Sequence, residues 1–526
     1  MHADDLRTTL TRPVGLTRRA LLRAGAAAAL GVAALGAAPA AAAPRVAPHR
    51  LRQRKGLTAA TTAEPIQLDP HLLTAAVDQN LQRTVFNGLT IWDKDMNVQP
   101  DLAESWSNPE PRTWLFNLRR GVRFHNGREL TAEDVKFSID RIKEIGTRGK
   151  YAAYIVDVDS VDIVDTYQVR LNLKAPSAPL LDNLVYCSIV PREATENDGL
   201  SSMPIGAGPF KFVERIPNQR LVIVKNDDYW RQDVNYVDEI TIVNAGEEQT
   251  AVANLKTGTI DYLDTVPSKF LRELESEPDI KLLYPNPGST SYTWTLMKNT
   301  EPPFNNRDLR MAVAYGIDRQ TLLRTIFFGA GEAHWNVFPK GHWAYAADIE
   351  GPEYNLDRAK QHLAASGYNG EEIVYKIFTL TFYPQMAQLI QSMLKDVGIN
   401  LRIVQLEFAT WIAEVYQRRE FQIAQTSVLR EWDPDGLCIS CLYTNGSNNP
   451  GLYSDPEMDA AFDRGRQVTD REERKAAYRE VQRLYARDQP HVKAVHINTP
   501  AAYNTRRVKY MDRGVAQPNW RDVIMA

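Results

Sequence analysis

Three cysteines and nine histidines are the residues of this chain with the most distinctive chemistry, and their spacing limits what they can do. Cys438-Ile439-Ser440-Cys441 has the gap of a metal-ligand pair, but no second pair follows, and a structural zinc needs four ligands. In an oxidising compartment the pair could close a local disulfide, which depends on the separation of the two Cβ atoms. Two partly buried thiols are the other reading, and the sequence leaves both open. With Cys187 standing apart, no disulfide framework can be built. His334 and His342, and His491 and His496, fall in segments that read as loop or strand, so satisfied or exposed imidazoles are expected rather than a metal site. No Gly-x-Ser-x-Gly elbow, His-Glu-x-x-His, Walker loop or dinucleotide fingerprint occurs. Neither a nucleophile with its base nor a cofactor site is visible, which points to binding rather than catalysis.

Whatever these side chains do, strands and helices must position them, and residues 100–141 are the most legible part. Trp114, Phe116 and Leu118 share one face of a short strand, with Thr113, Leu115 and Asn117 on the other. His125-Asn126-Gly127 reads as a turn. Thr131 stands three residues before Asp134, a weaker capping box than one with Glu or Gln, and Val135, Ile139 and Ile142 then form one helical stripe. Leu221 to Val224 reads as a strand. Helices read at 307–327, 356–366, 386–397 and 470–488, the last with paired charges on a solvent face, and Gly367 and Gly398 read as helix stops. The alternation gives an α/β or mixed α+β class. With 526 residues, 44% hydrophobic and 24% charged, the chain can bury cores for two or three domains. A net charge of -3 without a long basic block leaves no electrostatic footprint for nucleic acid or anionic lipid. The basic residues Arg45, Arg50, Arg52, Arg54 and Lys55 read as a solvated leader.

The 100–141 segment resembles the signature of the family 5 extracytoplasmic solute-binding proteins, the peptide- and nickel-binding subunits of bacterial ABC importers. Other motifs follow in family order: Gln67-Leu68-Asp69-Pro70-His71; Gly206-Ala207-Gly208-Pro209-Phe210-Lys211 with Lys225-Asn226 and Tyr229-Trp230; Leu255 to Asp261; Asn299-Thr300 with Pro303-Phe304; and Leu309 to Arg319. Any one alone is weak, whereas their common order is specific. The resemblance implies a fold like the type II periplasmic binding proteins, with two lobes, an extra third domain and two hinge crossings near 288 and 491. Domain I would comprise 44–86, 205–288 and 492–526, domain II 87–204, and domain III 289–491. Jaws joined twice can close on a ligand held between them.

The resemblance also implies ligand-binding positions. Thr74, Ala75 and Ala76 would offer backbone groups to an extended ligand by strand addition. Tyr151 would be a pocket tyrosine or, alternatively, packing at a domain edge. Trp411 would be a cleft wall with one donor or, alternatively, core. His496 replaces an aromatic position near the hinge, and Asp264 lies near a polar pocket position of the first lobe. Peptide-binding relatives place an aspartate three residues before the Asp433-Pro434 step to hold the ligand's ammonium group, and ungapped matching puts Arg430 there. Losing one partner of a buried ion pair costs about 3–5 kcal/mol, at least about a hundredfold in affinity. A gap would bring Glu431 or Asp433 into the role instead. If Arg430 faces the cleft, its planar fork suits a carboxylate, and a zwitterionic or acidic ligand such as a short peptide, a modified amino acid or an opine-like compound follows. A solvent-exposed Arg430 is the other reading. Trp343, Trp411 and Trp432 would also suit a sugar ring, and a nickel chelate, opine or oligosaccharide is the rival ligand class. A periplasmic hydrolase is the rival from another class.

Thr17-Arg18-Arg19-Ala20-Leu21-Leu22-Arg23 is a twin-arginine pattern followed by an alanine-rich run, so residues 1–43 read as a signal peptide removed on export to the periplasm. The expected product is a monomer that meets an ABC permease and its ATPase subunits.

Overall fold

The computed structural model describes residues 55–526 apart from 62–64, 66, 74–75, 233–236, 286–290, 380–381, 429–432, 447 and 513–518. Alternation of bulky apolar and polar residues drives every second side chain of the Thr113–Leu118 strand into a core, and Trp114, Phe116 and Leu118 are all buried. The strand pairs antiparallel with Ala103–Glu110 and Gln168–Leu173, and Val158–Asp165 completes a four-stranded sheet. Asp134 accepts the Thr131 N–H at 2.9 Å and starts the Ala132–Ile145 helix, so the shorter acid performs the capping that Glu usually does. Val135, Ile139 and Ile142 then join the core that includes the buried strand residues.

A mixed seven-stranded sheet draws on three separated stretches of chain. Its order is Ile280–Leu283, Ala501–Asn504, Tyr262–Leu263, Gly56–Thr61, Glu239–Asn244, Arg220–Lys225 and Phe210–Ile216. Gly56–Thr61 runs parallel to both of its neighbours, and the other pairs are antiparallel. A six-stranded sheet has the order Gly331–Ala333, His491–Ile497, Ser291–Met297, Ile423–Val428, Ile373–Phe378 and Leu401–Leu406. His491–Ile497 pairs with Ser291–Met297 and Gly331–Ala333 in this second sheet. A domain boundary at 491/492 would therefore cut a hydrogen-bonded strand. The chain changes sheets between Ile497 and Ala501, where Asn498 N–H reaches Ala330 O at 3.3 Å and Val266 N–H reaches Pro500 O at 2.8 Å. The other passage lies between Leu283 and Ser291.

Two helical expectations hold closely, Leu356–Ser366 and Arg471–Asp488, and Gly367 and Gly398 end their helices at φ of +71° and +112°. The 307–327 segment differs, because it is two helices, Arg307–Gly316 and Arg319–Ile326. Ile317 is extended and Asp318 accepts the Thr321 N–H at 3.0 Å, so a capping residue inside the apolar pattern restarts the helix. Buried Arg319 then donates to the carbonyls of Ala314, Pro352 and Lys493, which secures the break. Cys187, Cys438 and Cys441 are buried and none forms a disulfide.

Two of the sequence motifs are fasteners. Asp69 accepts both Nη groups of Arg141, at 2.5 and 3.0 Å, while Arg141 also donates to His71 Nδ1 at 2.8 Å and His71 Nε2–H donates to Ser188 O at 2.8 Å. Burial pushes His71 down to about 4, so the neutral imidazole carries this relay. At the second motif the backbone passes so close to Val85 that a Cβ at Gly206 would stand 2.2 Å from Val85 O, and one at Gly208 2.6 Å from Thr84 O. Both obstacles are backbone. Gly208→Ala is expected to lower stability by about 1–3 kcal/mol, the usual range for overpacking, read as a lower urea midpoint with an unchanged slope. An unchanged midpoint would mean that the strap has room to move.

Candidate functional site

The surfaces that face one another across the two sheet regions are built from residues far apart in the sequence. From the 87–204 part come Trp92 and Asp182, whose side chains meet when the indole N–H donates to Asp182 Oδ1 at 2.8 Å. From the 289–497 part come Trp343, Asp433 and two arginines at the start of the Arg471–Asp488 helix. Arg474 grips Asp433 by both guanidinium nitrogens, Nη1 to Oδ2 and Nη2 to Oδ1, each at 2.8 Å. Both residues are buried. Arg474 also donates to Gly465 O at 2.9 Å and to the Tyr478 hydroxyl at 3.1 Å. Its guanidinium and that of Arg471 each lie 5.2 Å from the Trp343 ring, and this half-buried indole packs against the hydrophobic cores of both regions.

Polar contacts bridge the same gap. Arg466 reaches Asp157 at 2.9 Å, the Ala178 N–H donates to Arg466 O at 2.7 Å, and Arg471 donates to Asn97 Oδ1 at 3.2 Å. Asp182 feels this closure most. Burial and the nearby Asp433 carboxylate push its carboxyl up to about 7, against the opposing pull of the Trp92 N–H, Arg474 and Arg471.

The 289–497 region also holds a buried aromatic cluster. His496 is fully buried, with Nε2 3.1 Å from Asn336 O and its ring 5.7 Å from that of Tyr292. Lys493 is buried too; its ammonium sits 3.4 Å from the Tyr292 ring centroid and donates to Val337 O at 3.0 Å. Burial lowers Lys493 to about 8, and burial together with this neighbouring charge holds His491 and His496 well below the ordinary histidine value. The imidazoles are therefore held neutral at physiological pH. Among the described residues no group of three or more His, Cys, Asp or Glu side chains is placed to hold a metal ion.

The residues singled out in the sequence fall into three groups. Thr74, Ala75, Arg430 and Trp432 lie outside the described residues, and Ala76 opens the Ala76–Val85 helix. Tyr151 and Trp411 are deep in hydrophobic cores, 0% and 1% exposed, and each spends its polar atom internally. The Tyr151 hydroxyl donates to Gln82 Oε1 at 2.9 Å, and the Trp411 indole N–H points to Lys376 O at 3.3 Å. Asp264 ends the Tyr262–Leu263 strand and accepts the Tyr262 hydroxyl at 3.1 Å, while Asp433 and His496 are placed as above.

Arg474 and Asp182 were missed. The charged face of the Arg471–Asp488 helix reads as solvated, yet Arg474, Gln482 and Asp488 on it are buried. A signal for Arg474 was its spacing of four from Tyr478, since both then lie on the stripe that enters the core. Asp182 had no such signal.

Residues 97–449 match the model of the bacterial extracellular solute-binding proteins, family 5 middle. The chain is 25% identical over 514 residues to the periplasmic oligopeptide-binding protein OppA of Escherichia coli, covering 90% of this chain and 92% of that one. It is 27% identical over 479 residues to heme-binding protein A of Haemophilus influenzae, covering 83% and 86%. Among solved structures, that of the binding protein AgaA of A. tumefaciens R10 in complex with agropinic acid superimposes with a TM-score of 0.76 at 26% identity, covering 90% and 99%.

Two outcomes test the geometry. Arg474→Ala strands the Asp433 charge in the interior and is expected to lower stability by about 3–5 kcal/mol in urea denaturation, whereas the double substitution with Asp433→Asn recovers part of the loss. For Asp182, folding takes up a proton between the unfolded aspartate value of about 3.9 and the raised value of about 7. Its contribution is therefore present at low pH and lost as pH rises through that window. Calorimetry should find Asp182→Asn close to the parent in melting temperature at the acid end of this window and more stable than the parent above it; an equal difference at both ends would show that Asp182 titrates normally.

Proposed function

Since the chain belongs to the family 5 bacterial extracellular solute-binding proteins, we propose that it captures a peptide-like small solute between its lobes and delivers it to an ABC permease with cytoplasmic ATPases. The solute leaves unaltered, because the groups that meet between the lobes are ion pairs and indoles rather than a nucleophile with its base. The observation that carries this reading is the meeting of two sheet regions, joined by two passages of chain, through polar contacts such as Arg466 with Asp157. Polar contacts of this kind exchange readily for water, so the lobes can part, and a ligand touching both favours the closed form.

The ligand class we favour is zwitterionic or acidic. Asp433 already has a cation in Arg474, so it is a poor free partner for a ligand ammonium group. Arg430, three residues earlier, is the residue we assign to a ligand carboxylate, with Asp264 of the other lobe as its counterpart for a cationic group. Relatives named for oligopeptide binding and for a complex with agropinic acid support such a solute. The Thr17–Arg23 twin-arginine pattern supports export by that route to the periplasm, where the protein would work as a monomer.

A thermal-shift screen over dipeptides, longer peptides, opines, sugars and nickel chelates tests the class, since a ligand at a hundred times its dissociation constant adds about 2.7 kcal/mol of stability. The expected hit is a peptide or opine-like acid, and X-ray scattering should show the envelope contract on adding it. Arg430→Ala should then weaken the hit at least about tenfold, the loss of one charge-assisted hydrogen bond. A sugar or nickel chelate as sole hit, or unchanged affinity in Arg430→Ala, defeats the carboxylate assignment, and turnover of the hit defeats the binding-protein reading.

A further inference from the structure

One cavity among the described residues borders the meeting of the lobes through Trp92 but takes its described lining from one side of it. It encloses about 420 Å³, within the range of small-molecule sites, and its described lining comes wholly from residues 82–231 and 510–522. The 289–497 region contributes nothing to that lining. The end of the Ala76–Val85 helix, the Thr90–Trp92 strand and the C-terminal Asn519–Met525 strand enclose it.

Its chemistry is unusual for a packing defect. Asp101 and Asn87 line it, at 2% and 3% exposure, and in each one side-chain oxygen, Oδ1, is buried with no hydrogen-bond partner. The second Asp101 oxygen accepts from Asn87 Nδ2 at 2.8 Å, which fixes the two side chains to each other. Buried polar atoms left without a partner are disfavoured, and two of them on residues lining one cavity mark a place where donors from outside belong. The Trp520 indole N–H, also lining the cavity, is likewise buried without a partner. Burial raises the Asp101 carboxyl above the ordinary aspartate value, and Arg521 opposes that rise.

Around these acceptors the charges balance. Four basic residues, Arg521 and Arg231 among them, and four acidic residues, Asp101 among them, line the cavity. Trp92 and Trp520 supply apolar walls, with the Arg83 guanidinium 4.9 Å from the Trp92 ring. A lone anion or a lone cation would meet opposition from half of the lining, whereas a molecule carrying both charges matches it.

We propose that this cavity is a second binding site, built on one side of the lobe meeting, for a small zwitterion of the α-amino acid class with an apolar side chain. The ammonium group donates to Asp101 and Asn87, the carboxylate meets Arg231 and Arg521, and the side chain lies between the indoles of Trp92 and Trp520. Because the described lining contains nothing from the opposite lobe, occupation does not require closure.

L-phenylalanine is the probe, titrated calorimetrically into the mature protein beside 2-phenylethylamine, which lacks the carboxylate, and 3-phenylpropanoate, which lacks the ammonium. Expected are binding of phenylalanine, at least about tenfold weaker binding of each analogue, and a similar loss of phenylalanine affinity in Asp101→Asn and Arg231→Ala. Arg231 is only half-buried, so that variant remains informative if Asp101→Asn folds poorly. X-ray scattering should show no contraction with phenylalanine. Absence of phenylalanine binding, or binding that both substitutions leave unchanged, overturns the proposal, as does an envelope that closes on it.

Discussion

The two-point contact of Arg474 with Asp433 is the interaction on which the arrangement between the lobes depends. Each charge alone would be intolerable where it lies, since burial of an unpaired ion costs several kcal/mol. Together they tie the Arg471–Asp488 helix to the turn that follows the Ile423–Val428 strand. The remaining nitrogen of Arg474, Nε, donates to Gly465 O, and Nη2 also reaches the Tyr478 hydroxyl, so the guanidinium has one orientation only. That orientation presents the cation to the Trp343 ring, and the indole in turn packs against the cores of both regions. Asp182, across the gap, takes its raised proton affinity from the same surroundings.

Around this fixed point the molecule combines strong cohesion within each sheet region and weak cohesion between them. The cores of the four-stranded and six-stranded regions are dense with buried aromatic and aliphatic side chains. Between them stand a few polar bridges, such as Arg466 with Asp157 and Arg471 with Asn97, which lose little when water replaces them. The short passage through Asn498, Thr499 and Pro500 carries the chain from the six-stranded sheet to the seven-stranded one within a few residues.

How far the sequence could be read follows from how local each cause was. The Thr113–Leu118 strand and the Ala132–Ile145 helix depend on period and on a cap three residues long, and both formed as read. The break at Ile317 was hidden, since the apolar stripe continues through it and only the burial of Arg319 among carbonyls shows why the chain restarts there. The pairing of His491–Ile497 with Ser291–Met297 and Gly331–Ala333 was not legible, because its side chains say nothing about which partner it takes. Tyr151 and Trp411 illustrate the same limit at the site. An aromatic residue looks alike in sequence whether it walls a cleft or fills a core, and their hydrogen bonds to Gln82 and Lys376 come from contacts that sequence separation conceals.

The sequence by itself determined the class of the protein: ordered motifs, helix caps, strand alternation and the glycines that let the backbone pass Val85 are properties of short stretches, and they identify a solute-binding fold. Only the tertiary structure decided which charges became partners. Asp433 met Arg474, Asp182 gained its high proton affinity from burial and the Asp433 carboxylate, and Asp101 and Asn87 came to share a cavity with Arg231 and Arg521. The physical reason is that a charge's energy is set by its burial and by neighbours within a few ångströms, and those neighbours are assembled by chain crossings that no local pattern records.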